Sequence, residues 1–116
     1  MPPGALPIDE SRNGAVCVVG PVGRIDSTNA ELLMVRLKEL LASGERAVLV
    51  DLCRVIYLTS AAFRALLVAA HEADRTGAQL ALCGLPGPVR ELFEMGGLLD
   101  AFTIYASREE AVAKLA

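Results

Sequence analysis

The sequence predicts an α/β sandwich: a mixed sheet of four or five strands with helices packed on it, in the order β-β-α-β-α-β-α-β-α. Composition is the first reason, because 53% of the residues are hydrophobic and only 4% are aromatic, which is typical of an aliphatic core between helices and a buried sheet. Second, short apolar runs alternate with amphipathic stretches, as in parallel strands joined by helical crossovers. Third, an Asn-Gly pair at 13–14 separates two strand-like segments and predicts an antiparallel hairpin.

The predicted elements follow one another without a linker or an internal repeat, so residues 1–116 are expected to form one domain. Three of the six prolines fall in the first ten residues, and residues 1–6 are expected to be a loose N-terminal arm. The clearest helix is the first, where leucines recur at helical spacing and charged residues take the other face. The predicted strands lie near 6–10, 15–20, 46–53, 78–84 and 101–107, and the predicted helices within 26–44, 60–75, 87–97 and 108–116.

Residue types that cap helices stand at the start of three predicted helices. The candidates are Asp26, Ser27 and Thr28 for the first helix, Ser60 for the second and Ser107 for the last. The second helix is expected to pack a wide apolar stripe against the sheet. A second face, with small side chains around one arginine, is expected to point outward. The stripe is Ala62, Phe63, Leu66, Leu67 and Ala70, and the outward face is Ala61, Arg64, Ala65 and Val68.

The net charge, the cysteine positions and the distribution of apolar residues argue against nucleic-acid binding, metal binding and membrane insertion. The net charge is −3, and the nine arginines are scattered singly, which argues against direct binding of nucleic acid. Cys17, Cys53 and Cys83 lie far apart in apolar runs without metal-ligand spacing, so they are expected to be small buried hydrophobes, with no metal or cofactor. The N-terminus lacks the pattern of a signal peptide, and no apolar run reaches the ~18 residues of a membrane span. A cytoplasmic protein without membrane insertion is therefore expected.

Three tests for catalysis are negative, and the sequence predicts a protein that is not an enzyme. Asp9, Glu10 and Asp51 lack the late lysine that a magnesium-binding receiver domain needs, because Lys114 lies within the predicted last helix. His71 is the only histidine, and on an ideal helix it lies about 16 Å from Ser60, too far to act as its base. No phosphate-binding loop of the GxxxxGK[ST] type is present.

Three sequence blocks resemble the signatures of STAS-domain proteins, specifically of anti-sigma factor antagonists. The blocks are GRIDSTNAELL (Gly23–Leu33), AVLVDLCRVIYLTSAAFRALL (Ala47–Leu67) and CGLPGPVRELFEMGGLLDAF (Cys83–Phe102). The resemblance covers about residues 14–115 and implies a STAS-like α/β sandwich. It further implies partner switching: the unmodified protein binds an anti-sigma factor that is also a serine kinase and so frees a sigma factor. Phosphorylation releases that partner, and a serine phosphatase resets the switch.

By this resemblance the phosphorylated residue is Ser60, at the start of the second helix. The family pattern is usually Asp-Ser-Ser/Thr-Gly-Leu, whereas this chain carries Thr59 before the serine and Ala62 in place of the glycine. Thr59 therefore stays open as an alternative acceptor. Arg64, one helical turn beyond Ser60, is in a position to pair with a phosphate, whose −1.5 to −2 charges are tolerated at a helix N-terminus. Asp26 and Ser27 are expected at the end of the second strand, which in a parallel arrangement lies near the start of the second helix. The residues expected to bind the partner are Asp26, Ser27, Thr59, Ser60, Ala61, Arg64 and Val68.

Two other functions remain open for a domain of this kind. One is a STAS docking subunit of a phospholipid-import ABC transporter, in which the domain contacts an ATPase and phosphorylation is not required. The other is nucleotide binding by the domain itself, which the missing phosphate loop disfavours. A monomer or a weak dimer is expected in each case.

Overall fold

The computed structural model describes residues 4–115. Within them the chain forms seven strands, four α-helices and one short 3-10 helix at Leu99–Ala101. The strands are β1 (Ile8–Asn13), β2 (Val16–Pro21), β3 (Gly23–Ile25), β4 (Ala47–Asp51), β5 (Val55–Leu58), β6 (Gln79–Cys83) and β7 (Thr103–Tyr105). The helices are α1 (Ala30–Ala42), α2 (Ser60–Thr76), α3 (Gly87–Met95) and α4 (Arg108–Leu115).

Five of the strands form the predicted mixed sheet, in the order β1-β2-β4-β6-β7. Only the β1–β2 pair is antiparallel, and the other neighbours are parallel. The α/β sandwich with a mixed sheet is therefore confirmed. Two short strands were not predicted: β3 and β5 pair with each other, in parallel, as a separate two-stranded sheet. They bring the number of strands to seven, while the main sheet keeps its five.

The N-terminal hairpin is confirmed, with its turn one residue later than predicted. Asn13 stays in β1 and pairs with Val16, so the loop is Gly14–Ala15. Gly14 alone supplies a positive φ, +61°, as the first residue of a two-residue hairpin turn. The strand β1 also begins later, at Ile8, and its polar residues suit an exposed edge strand.

The central strands alternate side chains between two apolar layers, which explains why β4 is buried at every position. On one face, Val48 and Val50 join a large cluster with α1, α2 and α3. On the other face, Ala47 and Leu49 meet α4 through Ala111. Helix α4 begins where predicted, because the Ser107 Oγ accepts a hydrogen bond from the Glu110 N–H at 3.1 Å.

The buried face of α2 is rotated from the predicted stripe toward α1. Ala65, expected to face outward, is 3% exposed, and the partly exposed Phe63, Leu67 and Ala70 lie at the margin of the buried face. The reason is that α1 packs directly on α2, so small side chains are covered by a helix rather than left in solvent. The fully buried face of α2 consists of Ala62, Ala65, Leu66, Ala69 and Ala73.

A partly buried ion pair joins the end of β4 to the start of α4. Asp51 lies on the face of β4 that is turned toward α4. Its Oδ2 accepts a hydrogen bond from the Arg108 Nε at 2.9 Å. Burial alone would raise the pKa of Asp51, but the hydrogen bonds from the Cys53 N–H and Arg108 hold it below its ordinary value.

Cys53 itself is exposed, so the expectation of a buried thiol was wrong there, although Cys17 and Cys83 are buried as predicted.

The N-terminal segment is partly accounted for. Residues 1–3 of the predicted arm lie outside the described residues. Of the rest, Leu6 packs against the large cluster, and the Ala5 carbonyl accepts a hydrogen bond from the Asn29 Nδ2 at 3.1 Å. The start of the described chain is therefore attached to the loop before α1.

Gly84 is expected to tolerate alanine far less than Gly97 does. Both have φ +69°, but a Cβ on Gly84 would lie 2.9 Å from the Asp51 Oδ1, whereas a Cβ on Gly97 meets nothing within 4 Å. The positive φ costs about 1–2 kcal/mol in each variant, and crowding the Asp51 carboxylate adds about 1–3 kcal/mol in Gly84→Ala alone. Urea unfolding of both variants measures the difference, and equal losses would contradict this account of Gly84.

Candidate functional site

The β3–β5 pair brings two chain segments together at the start of α2. The register aligns Ile25 with Leu58, and the Thr59 N–H then donates to the Ile25 carbonyl at 3.1 Å. Because parallel strands end at the same edge, the residues after Ile25 and the residues after Leu58 lie next to each other. Ser27 and Ser60 accordingly line one cleft.

Asp26 and Ser27 were expected to end the second strand, and this part of the prediction was wrong. They follow β3, which leaves the main sheet at Val22–Gly23. There the Val22 N–H donates to the Pro7 carbonyl and the Gly23 N–H to the Arg54 carbonyl, so the chain has already changed partners. The expected proximity to the start of α2 is nevertheless observed.

Asp26 orders the loop before α1 instead of capping the helix. Its Oδ1 accepts hydrogen bonds from the Thr28 Oγ1 at 2.5 Å and the Thr28 N–H at 2.9 Å. These two bonds hold the pKa of Asp26 below its ordinary value. Arg24 lies 3.5 Å away and stacks on Tyr57, with its guanidinium carbon 4.4 Å from the ring centroid. The carboxylate is thus already engaged within the chain.

The residue in the N-cap position of α1 is Asn29, which the sequence analysis did not single out. Asn29 is 5% exposed. Its Oδ1 accepts from the Asp26 N–H at 2.9 Å, and its Nδ2 donates to the carbonyls of Ala5 and Arg24 at 3.1 and 3.0 Å. An asparagine between a predicted strand and a predicted helix is the only sequence signal for this role, and it is shared with any turn.

The second helix is capped one residue earlier than predicted. Thr59, in an extended conformation, occupies the N-cap position, and Ser60 is the first helical residue. The N–H groups of Ala62 and Phe63 both donate to the Thr59 carbonyl. Within residues 4–115 the Ser60 hydroxyl has no hydrogen-bond partner and the residue is exposed, whereas the Thr59 Oγ1 is enclosed and unpaired. The two neighbouring hydroxyls therefore differ sharply in accessibility.

Two clefts flank Ser60. The α1–α2 cleft, of about 400 Å³, is lined by Ser27, Ala30, Glu31, Met34, Ser60, Ala61, Arg64 and Ala65. The α2–α3 cleft, of about 580 Å³, is lined by Tyr57, Leu58, Thr59, Ser60, Phe63, Arg64, Leu67, Leu92, Gly96 and Leu98. Ser60 and Arg64 contribute to both, so they form the ridge between the clefts.

Val68 lies further along α2, in an outer groove that it shares with Arg64, His71 and Glu72. Sequence reasoning missed the residues that α1, β5 and the α3 region contribute to the clefts. Their faces depend on how α1 and α3 pack beside α2, which local periodicity does not report. The missed lining residues include Glu31, Met34, Tyr57, Leu92 and Leu98.

The carboxylates considered for metal binding are separated and paired with arginines. Asp9 contacts Arg54 at 2.6 Å, Asp51 contacts Arg108, and Glu10 contacts Arg36. No α-helix among the described residues has both the length and the apolar character required to cross a bilayer.

Comparisons with known proteins agree on one family. A family model described as the STAS domain matches residues 8–111. A relative from Bordetella bronchiseptica, "Putative anti-sigma factor antagonist BtrV", is 41% identical over 91 residues, which are 78% of this chain and 78% of that protein.

Solved structures with a similar fold include an anti-sigma factor antagonist from Mycobacterium paratuberculosis, with a TM-score of 0.86 at 20% identity over 98% of this chain and 97% of that one. The phosphorylated form of the Bacillus cell fate determinant SpoIIAA has a TM-score of 0.72 at 17% identity, over 97% of this chain and 100% of that one. At these identities the structural comparisons show a shared fold.

Thr59→Val is expected to leave the free energy of unfolding unchanged or to raise it by about 1–2 kcal/mol, because it removes an enclosed hydroxyl that has no partner. Thr76→Val is the matched control at the other end of α2. The Thr76 Oγ1 donates to the Ala73 carbonyl at 3.2 Å, so its removal is expected to cost about 0.5–1.5 kcal/mol. Chemical denaturation tests both, and a loss of about 1 kcal/mol in Thr59→Val would show that this hydroxyl caps α2 after all.

Proposed function

The chain belongs to the STAS-domain family, and from this premise we propose that it is an anti-sigma factor antagonist that is switched off by phosphorylation of Ser60. The unmodified protein binds an anti-sigma factor with serine kinase activity and so frees a sigma factor. The phosphorylated protein does not bind, and a serine phosphatase restores it. The chain's own role is binding, not catalysis.

The observation that carries this proposal is the state of Ser60. Its hydroxyl is exposed, has no hydrogen-bond partner among the described residues, and stands on a ridge between two clefts. Independent support comes from the Bordetella relative, whose name describes the same role, at 41% identity. The SpoIIAA protein, of the same fold, exists in a phosphorylated form.

Accessibility favours Ser60 over Thr59 as the acceptor. In the transfer, a bond forms between the serine Oγ and the γ-phosphorus of ATP, ADP leaves, and the hydroxyl proton passes to a base of the kinase. The acceptor oxygen must therefore be reachable in line by a second protein. The Thr59 Oγ1 is enclosed, and its N–H is held by the Ile25 carbonyl, so reaching Thr59 would require opening the β3–β5 edge.

The proposed switch acts on binding and leaves the fold in place. As the first residue of α2, Ser60 presents a phosphate to the positive end of the helix dipole, where negative charge is tolerated. Among the described residues, its side chain makes no hydrogen bond that the modification would break. A hydrated dianion on the ridge, in contrast, opposes burial of the surrounding surface by a partner.

The proposed docking surface is this ridge with its two clefts and the adjacent loop after β3. It retains the seven residues expected from the sequence, and their contributions differ. Asp26 is engaged with Thr28 and orders the loop, and Val68 is peripheral. The others line the two clefts, and Thr59 also occupies the N-cap position of α2: Ser27, Thr59, Ser60, Ala61 and Arg64.

Incubation with ATP and a serine-kinase anti-sigma factor from the same organism is expected to phosphorylate the protein at Ser60. Mass spectrometry of the wild type should place a single phosphate there. Ser60→Ala should abolish the modification, and Thr59→Val should retain it, because the Thr59 hydroxyl is not accessible. Phosphate on Thr59 would contradict the choice of acceptor. No modification at either residue, together with stable association with an ABC ATPase, would favour the transporter function instead.

Ser60→Asp is expected to weaken binding of the anti-sigma factor by at least about tenfold while moving the melting temperature by no more than about 3 °C, because an exposed side chain without partners is changed. Ser11→Asp is the control, since it adds the same charge at an exposed position of the edge strand β1. Calorimetric titration and thermal denaturation measure the two effects. A collapse of stability in Ser60→Asp would assign Ser60 a structural role.

A further inference from the structure

Arg64 stands apart from the other arginines of this chain. All nine lie within residues 4–115, and eight have a partner there: seven contact a carboxylate, and Arg46 donates to the carbonyls of Thr76 and Gly77. Arg64 has neither an ion pair nor a hydrogen bond within those residues. The seven paired with carboxylates are Arg12, Arg24, Arg36, Arg54, Arg75, Arg90 and Arg108.

The free guanidinium lies one helical turn from Ser60. Residues four apart share a face of a helix, and long helical side chains lean back over the turn on their N-terminal side. Arg64 therefore extends toward the turn that Ser60 begins, and the two residues line the same two clefts. A group attached to the Ser60 Oγ would enter the space that Arg64 borders.

We propose that Arg64 changes its binding partner when Ser60 is phosphorylated. In the unmodified protein it is the cationic contact for an acidic side chain of the docking protein, and in the phosphorylated protein it binds the phosphate of its own chain. This inference rests on the proposed function. Phosphorylation then acts twice, because it adds a dianion to the docking surface and also withdraws the cation that the partner requires.

Few other charges compete for Arg64. Among the described residues, Glu31 on α1 is the only carboxylate that lines either cleft, and it makes no ion pair with Arg64 within 4.0 Å. The α3 side contributes Leu92, Gly96 and Leu98, which carry no charge. Further along α2, Glu72 is bound to Arg75, and His71 shares the outer groove. An acidic partner residue or a phosphate therefore meets one uncommitted cation.

The charge of the phosphate and its place on the same helix explain why it binds Arg64 in preference to a partner's carboxylate. A phosphate carries about −1.5 to −2 charges, against −1 for a carboxylate, and accepts a bidentate pair from arginine. It is also tethered to the same helix, so pairing with Arg64 needs no second molecule, whereas a partner's carboxylate must be brought in by docking.

The intramolecular half of the exchange is tested without a kinase or a partner. Phosphoserine is incorporated at position 60 during translation, and phosphorus NMR follows its second ionisation between pH 4.5 and 8. With Arg64 present, its pKa is expected to lie at least about half a unit below the value in Arg64→Gln. Arg46→Gln, which removes a positive charge that is paired with backbone carbonyls and with no carboxylate, should leave this pKa unchanged. Glu31→Gln should lower the pKa further, because it removes the opposing carboxylate.

Equal phosphoserine pKa values in the wild type and Arg64→Gln would overturn the exchange. A rise in Arg46→Gln as large as the rise in Arg64→Gln would overturn it too, because it would indicate a general charge effect. The docking half is tested with the unmodified protein and the anti-sigma factor identified by the phosphorylation assay. Arg64→Gln should weaken that complex about tenfold, and unchanged affinity would overturn this half. A failed titration leaves the proposed function standing, whereas absence of Ser60 phosphorylation contradicts the proposed function whatever the titration shows.

Discussion

The arrangement of the candidate site depends on the short parallel ladder between β3 and β5. Its last bond, from the Thr59 N–H to the Ile25 carbonyl, places the loop after β3 beside the first turn of α2. Strands of three and four residues cannot persist alone in water. They are held by their buried residues Ile25, Val55 and Leu58, each at most 1% exposed. The core therefore positions the proposed docking surface, although β3 and β5 contribute few of the side chains that line its clefts.

The fold was largely predictable because its main elements are long or strongly patterned. The apolar run of β4 and the leucine spacing of α1 each indicate one structure, and Ser107 marks the start of α4 by a specific hydrogen bond. Strands β3 and β5 are too short for their periodicity to stand out. The orientation of α2 was partly missed because Ala65 reads as a small outward residue until α1 covers it.

The candidate site was predictable in its location more than in its detail. Sequence blocks pointed to Ser60, and the structure adds that Thr59 rather than Ser60 occupies the N-cap position. Whether a hydroxyl is enclosed or exposed depends on contacts from β3 and α3, which lie far away in sequence. Ala62, where the family pattern has glycine, is fully buried and its N–H is bonded to the Thr59 carbonyl. The start of α2 is therefore a rigid platform, which suits a switch that operates by charge.

The balance of charge on that platform makes such a switch effective. Of the described residues that line the two clefts, only Arg64 and Glu31 are charged, so the ridge is close to neutral before modification. A phosphate there makes the region net negative by nearly two charges. With Asp26 engaged by Thr28 and Arg24, nothing else in the adjacent loop offsets the change. A partner selected for an apolar surface with one free cation would then face a hydrated anionic surface whose cation is occupied. In the proposed switch, a partner therefore discriminates through its mismatch with the modified form, and tight binding of the unmodified form is not required.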